Sequence, residues 1–448
     1  MDDLDTALKR LLNKYLKIFR RLIRFKSLYS NRDEAEKTVD YLSSVLHDIG
    51  FSTKILESEG SPAVYAEIGE GRKTILFYNH YDVQPPDPID EWRHPPFDLT
   101  IEGDNLYGRG VADNKGNIIA RMLATELYQM KQGSGIKIKW LIEGEEEAGS
   151  PNLHNIVMEN KALLMADAGI WETGYVRADG RLWFPLGYKG MIYLEIELPL
   201  LNNDAHSGYA PIIPNPAISA ADLITKLKSI DGEILFKDLY NDIDDEYLTI
   251  ARSMVPTDTT NLDKLKELLG IEKFLGSLSG REAYIRIFTE PSLNISGISS
   301  GYIGEGPKTI VPKDAKIKID IRPLPGQDPM KIYRDFIRYL DNIGYGWARV
   351  KPYSMYPAGY TKPDEEIIKI SIEASKKAYG VEALVTPISG GSGPIYLFTD
   401  LLKIPMSGAG VGYYASNIHA PNENIRMVDF INGVKHVYHI LEYFSENP

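Results

Sequence analysis

The stretch Ile136–Ser150 reads IKIKWLIEGEEEAGS. Its apolar residues give way to a continuous run, the pattern of a strand buried in a sheet. The run ends in Glu143, Glu145, Glu146 and Glu147, just before Ala148-Gly149-Ser150 turns the chain. A strand end crowded with carboxylates is electrostatically expensive unless a cation sits there or water reaches the charges. A solvated loop meets the second condition. The positions of the remaining His and Asp residues decide between the two.

The chain has 448 residues with no cysteine and eight histidines. Disulfides, thiolate ligands and a cysteine nucleophile are therefore excluded. Any metal would have to be held by histidine and carboxylate. A net charge of −12 argues against a nucleic-acid partner, which requires a basic face. The length allows two domains and a large core, and the 43% hydrophobic content is that of a globular chain. No apolar run approaches the roughly 20 residues that cross a membrane. The opening MDDLDTALKR has no apolar core segment, so no signal peptide is expected and the chain reads as cytoplasmic.

Helical spacing predicts helices over Leu4–Phe25 and Asp33–Asp48. Phe51–Glu57, Ala63–Glu67 and Lys73–Tyr78 then read as strands, followed by a helix over Gly116–Met130 and the acidic strand. Asn152–Asn160 reads as helix and Ala162–Ala166 as a short buried strand. Such alternation predicts an α/β domain with a mostly parallel sheet covered on both faces. Near Gly187–Gly190 the pattern changes. Met191–Leu198 alternates apolar and polar residues like an antiparallel strand with one solvated face. Strands at Ala283–Ile287, Leu293–Ile298 and Ala315–Ile321 follow, with helices at Ala217–Ser229, Asn261–Leu269 and Pro329–Ile343. These predict an inserted α+β domain over 188–358, splitting the first domain into 1–187 and 359–448.

Four segments place a metal-binding type of side chain just beyond an apolar run. KTILFYNHYD places His80 and Asp82, WLIEGEEE places Glu146 and Glu147, ALLMADAG places Asp167, and the loop after KIPMSGAG places His419. In open α/β sheets, sites gather outside the carboxyl ends of the strands, so the four can converge. Asp113 lies in LYGRGVADNKG, where Gly108, Gly110 and Gly116 let the backbone fold tightly. A carboxylate there can offer one oxygen to each of two cations about 3.5–4 Å apart. Singly, each residue has an ordinary structural reading as a cap, a turn or a packed histidine. Glu146 beside Glu147 suits a division of labour between general base and ligand.

HYDVQP, LYGRGVADNKG, EGEEEAGS, DAHSG, TIVPKDAKIKIDIRP, GGSGP and the His419 loop follow one another in this order. Together they resemble the cocatalytic dizinc hydrolases that include carnosine dipeptidase, carboxypeptidase G, aminoacylase, acetylornithine deacetylase and succinyl-diaminopimelate desuccinylase. The dipeptidase branch is the most similar. The resemblance implies a metallopeptidase catalytic domain with an inserted, ferredoxin-like lid and dimerisation domain. It implies two divalent metal ions, most simply Zn2+, with Mn2+ or Co2+ as alternatives. His80 and Asp167 would ligate one, Glu147 and His419 the other, and Asp113 would bridge. It makes Glu146 the general base, Asp82 the partner orienting His80, and His206 the group polarising the scissile carbonyl. Thr309 and Arg322 would hold the substrate's carboxylate, and Gly391 and Ser392 would form a substrate loop. The Asp113-Asn114 peptide bond would be cis.

The implied reaction is hydrolysis of an amide in dipeptides or at the C-terminus of short peptides, by a metal-bridging hydroxide. The alternatives are an N-acyl amino-acid deacylase and a non-catalytic binding relative. The implied partners are a small peptide or N-acyl amino acid and a second copy of the chain, paired through the inserted domain. One departure stands out: Ile388 and Ser389 precede the Gly390-Gly391-Ser392 loop, where this family often carries a charged residue.

Overall fold

In the first helix, Leu8, Tyr15, Phe19, Leu22 and Ile23 recur on one face and are buried; the helix covers Leu4–Arg24. Asp3 caps it by accepting from the Thr6 N–H at 2.8 Å. Asn31 caps the next helix, Arg32–Asp48, in the same way. The computed structural model describes residues 3–132 and 135–446. Contacts divide the chain into two units. The first comprises the chain up to Gly187, Tyr360–Thr386 and the part from Leu397 on; the second comprises Tyr188–Gly359 and Pro387–Tyr396. The segment Pro387–Tyr396 thus leaves the third sequence-defined part and belongs with the insertion.

The first unit is built on a six-stranded sheet. Its order is Ser52–Leu56, Ala63–Ile68, Lys137–Glu143, Thr74–His80, Ala168–Trp171, Met406–Gly408. The last four strands run parallel, and the first two pair antiparallel at one edge. Leu76, Phe77, Tyr78, Trp140, Leu141 and Ile170 are all fully buried, as central parallel strands require. The helices Lys115–Gln132, Glu366–Tyr379 and Met427–Glu446 pack together beside the sheet. The register sets His80 opposite Glu143, so two parallel strands end level.

Two sequence expectations fail here. Ala162–Ala166 is not a strand: Lys161–Leu164 forms a single helical turn, and the strand begins only at Ala168. Ala283–Ile287 is helical, inside Gly280–Thr289, where Ser279 and Glu282 close a reciprocal capping box.

The second unit holds a four-stranded antiparallel sheet in the order Ser292–Ser300, Asp314–Arg322, Met191–Pro199, Arg349–Tyr356. With helices Pro216–Leu227 and Pro329–Asn342, the chain order is strand, helix, strand, strand, helix, strand, which is ferredoxin-like. Alternate residues Ile192, Leu194, Ile196 and Leu198 point inward onto Leu223, Leu227 and Phe336. Among the described residues no helix is long and apolar enough to cross a membrane.

Candidate metal centre

The carboxyl ends of the parallel strands carry a dense group of acids and two histidines. His80 is the last residue of its strand and is fully buried. Its Nδ1–H donates toward the backbone carbonyl of Asp82 at 3.1 Å, with the Asp82 carboxylate at 3.2 Å. Its Nε2 faces Asp113 Oδ1 at 3.0 Å and Glu172 Oε2 at 3.6 Å. Burial alone would pull the His80 pKa down. Glu172, Asp113 and Asp82 together outweigh burial and hold it well above the ordinary histidine value.

Asp82 does more than orient His80. Its two oxygens accept from the backbone N–H groups of Glu146, at 3.2 Å, and Glu147, at 3.0 Å. These residues open the short 3-10 turn Glu146–Ala148 that follows the acidic strand, and Gly149 ends it at φ +85°. One buried carboxylate therefore sets His80 and the glutamate pair in a common frame. Gln84 donates to Glu147 Oε2 at 3.0 Å.

Asp113 presents one oxygen to each histidine: Oδ1 to His80, and Oδ2 to His419 Nε2 at 3.1 Å. His419 also meets Glu147 Oε2 at 3.1 Å. Its backbone is left-handed, φ +64°, a conformation rare outside glycine and found where a site requires it. The Asp113-Asn114 peptide bond is cis. Glu423 secures this loop from below. One of its oxygens accepts from the N–H groups of Ala112 and Asp113, and the other from Gly110 N–H and Arg109 Nη1.

Asp167 is not part of this group. It sits at the amino end of Ala168–Trp171, exposed, accepting from the Thr74 N–H at 2.7 Å. The carboxylate at the other end of that strand is Glu172, only 5% exposed. The expected strand Ala162–Ala166 ends five residues before the observed one, and the acid just beyond the observed strand is Glu172. The sequence signal for it is the buried run Ala168-Gly169-Ile170-Trp171 immediately before Glu172.

The group fits divalent cations. Ligand atoms of His80, Asp113 and Glu147 lie within 4.8 Å of one another, as do those of His80, Glu146 and Glu172. Four carboxylates thus face two imidazoles, an excess of negative charge even with both rings protonated. Glu172 Oε2 is buried without a hydrogen-bond partner. Burial, then the neighbouring acids, push the Glu172 pKa up to about 8. Glu146 rises well above the usual carboxylate range, through burial and then Glu172. Hydrogen bonds to the carboxylates of Asp113 and Glu147, which favour the protonated ring, raise His419 to about 10. Without cations the group holds protons where positive charge is needed.

The second unit carries the remaining expected residues. His206 is exposed, and its Nδ1 accepts from the Gly208 N–H at 3.0 Å. That leaves the ring proton on Nε2, available for donation. Thr309 is exposed on the same small ribbon, its carbonyl accepting from Ser207 N–H. Arg322 Nη1 donates to Ser392 Oγ at 2.9 Å, and Ser392 in turn donates to the Gly190 carbonyl at 2.7 Å. Gly391 is exposed, its N–H donating to Ser389 Oγ.

Comparison with known proteins identifies the family. Residues 76–443 match the model of peptidase family M20/M25/M40. The M20 family metallo-carboxypeptidase Sso-CP2 from Sulfolobus solfataricus superposes with a TM-score of 0.90 at 34% identity, covering 100% of both chains. The Beta-Ala-His dipeptidase of Homo sapiens is 30% identical over 296 residues, which is 63% of this chain and 56% of that protein. The Cys-Gly metallodipeptidase DUG1 of Saccharomyces cerevisiae is 25% identical over 422 residues, 86% of this chain and 83% of that protein. The match therefore spans little more than half the length of the mammalian dipeptidase. With its strand-end acids, inserted ferredoxin-like unit and a family match over most of its length, this chain belongs to peptidase family M20/M25/M40.

Proposed function

We propose that the protein is a two-metal exopeptidase, cleaving dipeptides or the C-terminal residue of short peptides. The observation that carries this reading is Asp113, with one oxygen toward His80 and the other toward His419, flanked by Glu172 and Glu147. His80 and Glu172 would hold one divalent cation, Glu147 and His419 the other, and Asp113 both; zinc suits the donors, as do manganese and cobalt. Bound cations supply Lewis acidity toward the amide carbonyl and lower the pKa of water. Relatives named as metallo-carboxypeptidase and dipeptidases support the substrate class.

Glu146 lies within 4.8 Å of the ligand atoms of His80 and Glu172, and in this reading neither cation needs it as a ligand. Its raised proton affinity suits a group that accepts a proton from the attacking water and delivers it to the leaving amine. Asp82, against His80 Nδ1, would fix the tautomer that leaves Nε2 free to ligate a cation. His206, with its proton on Nε2, would donate to the oxygen that gains charge in the transition state. Arg322 and Ser392, with Thr309 and Gly391, would receive the substrate carboxylate, which a guanidinium binds in a planar fork.

We extend the proposal to a cytoplasmic homodimer paired through the second unit, with His206 serving its partner's centre. Ile212, Ile218 and Ile298 are exposed apolar side chains on that unit, of the kind that pairing would cover. Mixing His206→Ala with Glu146→Ala protein should then restore about a quarter of wild-type activity, because half the dimers are mixed and each has one complete site. No recovery despite subunit exchange would place His206 elsewhere in the mechanism.

A screen of dipeptides, longer peptides and N-acyl amino acids against metal-loaded protein tests the function. Release of free amino acids from dipeptides or peptide C-termini is the expected result. Turnover of N-acyl amino acids alone would make the chain a deacylase using the same centre. No amide hydrolysis with any substrate would leave a binding relative.

A further inference from the structure

Behind the strand ends lies a cation that the chemistry above does not use. Arg121, on the helix Lys115–Gln132, is 1% exposed and has no carboxylate within ion-pair distance among the described residues. Burying a guanidinium without a counter-ion is costly, so its hydrogen bonds should show what it is for. Nη1 donates to the carbonyl of Tyr78 and to Asn79 Oδ1, both at 2.7 Å. Nη2 donates to the carbonyl of Trp171 and, at 2.9 Å, to that of Ala409. These acceptors lie on three different segments. Tyr78 and Asn79 immediately precede His80, Trp171 immediately precedes Glu172, and Ala409 follows the strand Met406–Gly408.

A second chain of contacts closes the same frame. The Asn79 side-chain amide donates to Asn114 Oδ1, and Asn114 Nδ2 donates to the Glu172 carbonyl at 3.0 Å. Asn114 follows Asp113 directly. Arg121 therefore ties together the backbones that carry His80 and Glu172, and reaches Asp113 through two asparagines. None of these bonds touches Glu147 or His419 directly: Glu147 is held through Asp82 and Gln84, and His419 through Glu147 and the shared Asp113. Glu172 is also the charge that opposes the lowering of the Arg121 pKa by burial.

We propose that Arg121 is a positioning residue for one half of the centre: it sets the spacing of His80 and Glu172, and with it the affinity of that half for its divalent cation. This rests on the two-cation reading above. The guanidinium suits the role because its planar fork serves several carbonyls at once, which a single ammonium cannot do.

The test is stepwise binding of Co2+ and Zn2+ to metal-free wild type, Arg121→Met and Arg121→Lys, read by calorimetry and by the visible absorption of bound Co2+. Wild type should bind two equivalents. Arg121→Met should weaken one step by about tenfold or more, as loss of a ligand's support does, and leave the other within about threefold. Arg121→Lys keeps the charge but not the fork, and should weaken the same step by a smaller factor. If Arg121→Met does not fold, Arg121→Lys decides by the same selective loss. Unchanged steps, or two steps weakened by the same factor, overturn the proposal. Fewer than two equivalents in wild type would overturn the two-cation reading itself, and this inference with it.

Discussion

Asp167 and Glu172 stand at opposite ends of the same four-residue strand, and they differ in every physical respect. Asp167 is exposed and satisfied by the Thr74 N–H. Glu172 is buried, one of its oxygens has no hydrogen-bond partner, and its pKa is pushed up to about 8, first by burial. The amino edge of the sheet thus uses a carboxylate as a cap, while the carboxyl edge stores charge that only cations or protons can neutralise. A strand-end carboxylate becomes a candidate ligand through lack of hydration and of a partner; its mere presence does not suffice.

Substitutions at the two ends should separate them most sharply. Glu172→Ala should cost one of the two cations and more than about 100-fold in turnover, whereas Asp167→Ala should keep both and most activity. Metal analysis alongside initial rates checks this, and metal loss in Asp167→Ala would erase the distinction. Within the carboxyl edge, Glu146→Gln should retain both cations and substrate binding while losing roughly 100-fold or more in kcat. Near-normal turnover in that variant would remove Glu146 as the proton carrier. Asp82→Asn should come next, lowering metal affinity by about 10–100-fold through a loosened His80.

A smaller effect concerns pH. In metal-free protein Glu172 rises from 4.5 to about 8, and His419 rises from 6.5 to about 10 through Asp113 and Glu147. For both groups the folded state holds a proton that the unfolded chain gives up earlier. Their contributions are therefore complete below the lower value and lost as pH rises through the upper one. The Tm of chelated protein should fall between about pH 4.5 and pH 10, and excess divalent cation should flatten the fall. A Tm that climbs over this range would contradict the charge balance at the carboxyl edge. The least effect belongs to the cap: losing the bond from Asp167 to Thr74 should cost only about 1 kcal/mol in denaturant titration.

Much of the carboxyl edge was legible because strand and ligand are neighbours in sequence. His80, Asp82, Glu146 and Glu147 each follow a buried run closely enough to be placed without coordinates. Asp167 misleads because the apolar residues within Ala162–Ala166 read as a strand, whereas Lys161–Leu164 is a helical turn and the strand ends at Trp171. The capping box at Ser279 and Glu282 marked the start of a helix where a strand was expected. Glu423 and Arg121 were out of reach for a different reason. Glu423 holds Arg109 and three backbone N–H groups more than 300 positions away, and Arg121 reaches the Ala409 carbonyl 288 positions away. Periodicity reports burial, but it does not report which distant backbone a buried charge will serve.

Anomalous diffraction from crystals of the zinc-loaded protein tests the central claim most directly. Two peaks are predicted: one ligated by His80 and Glu172, the other by Glu147 and His419, with Asp113 shared by both. A single ion, or zinc bound at Asp167 in place of Glu172, would contradict it.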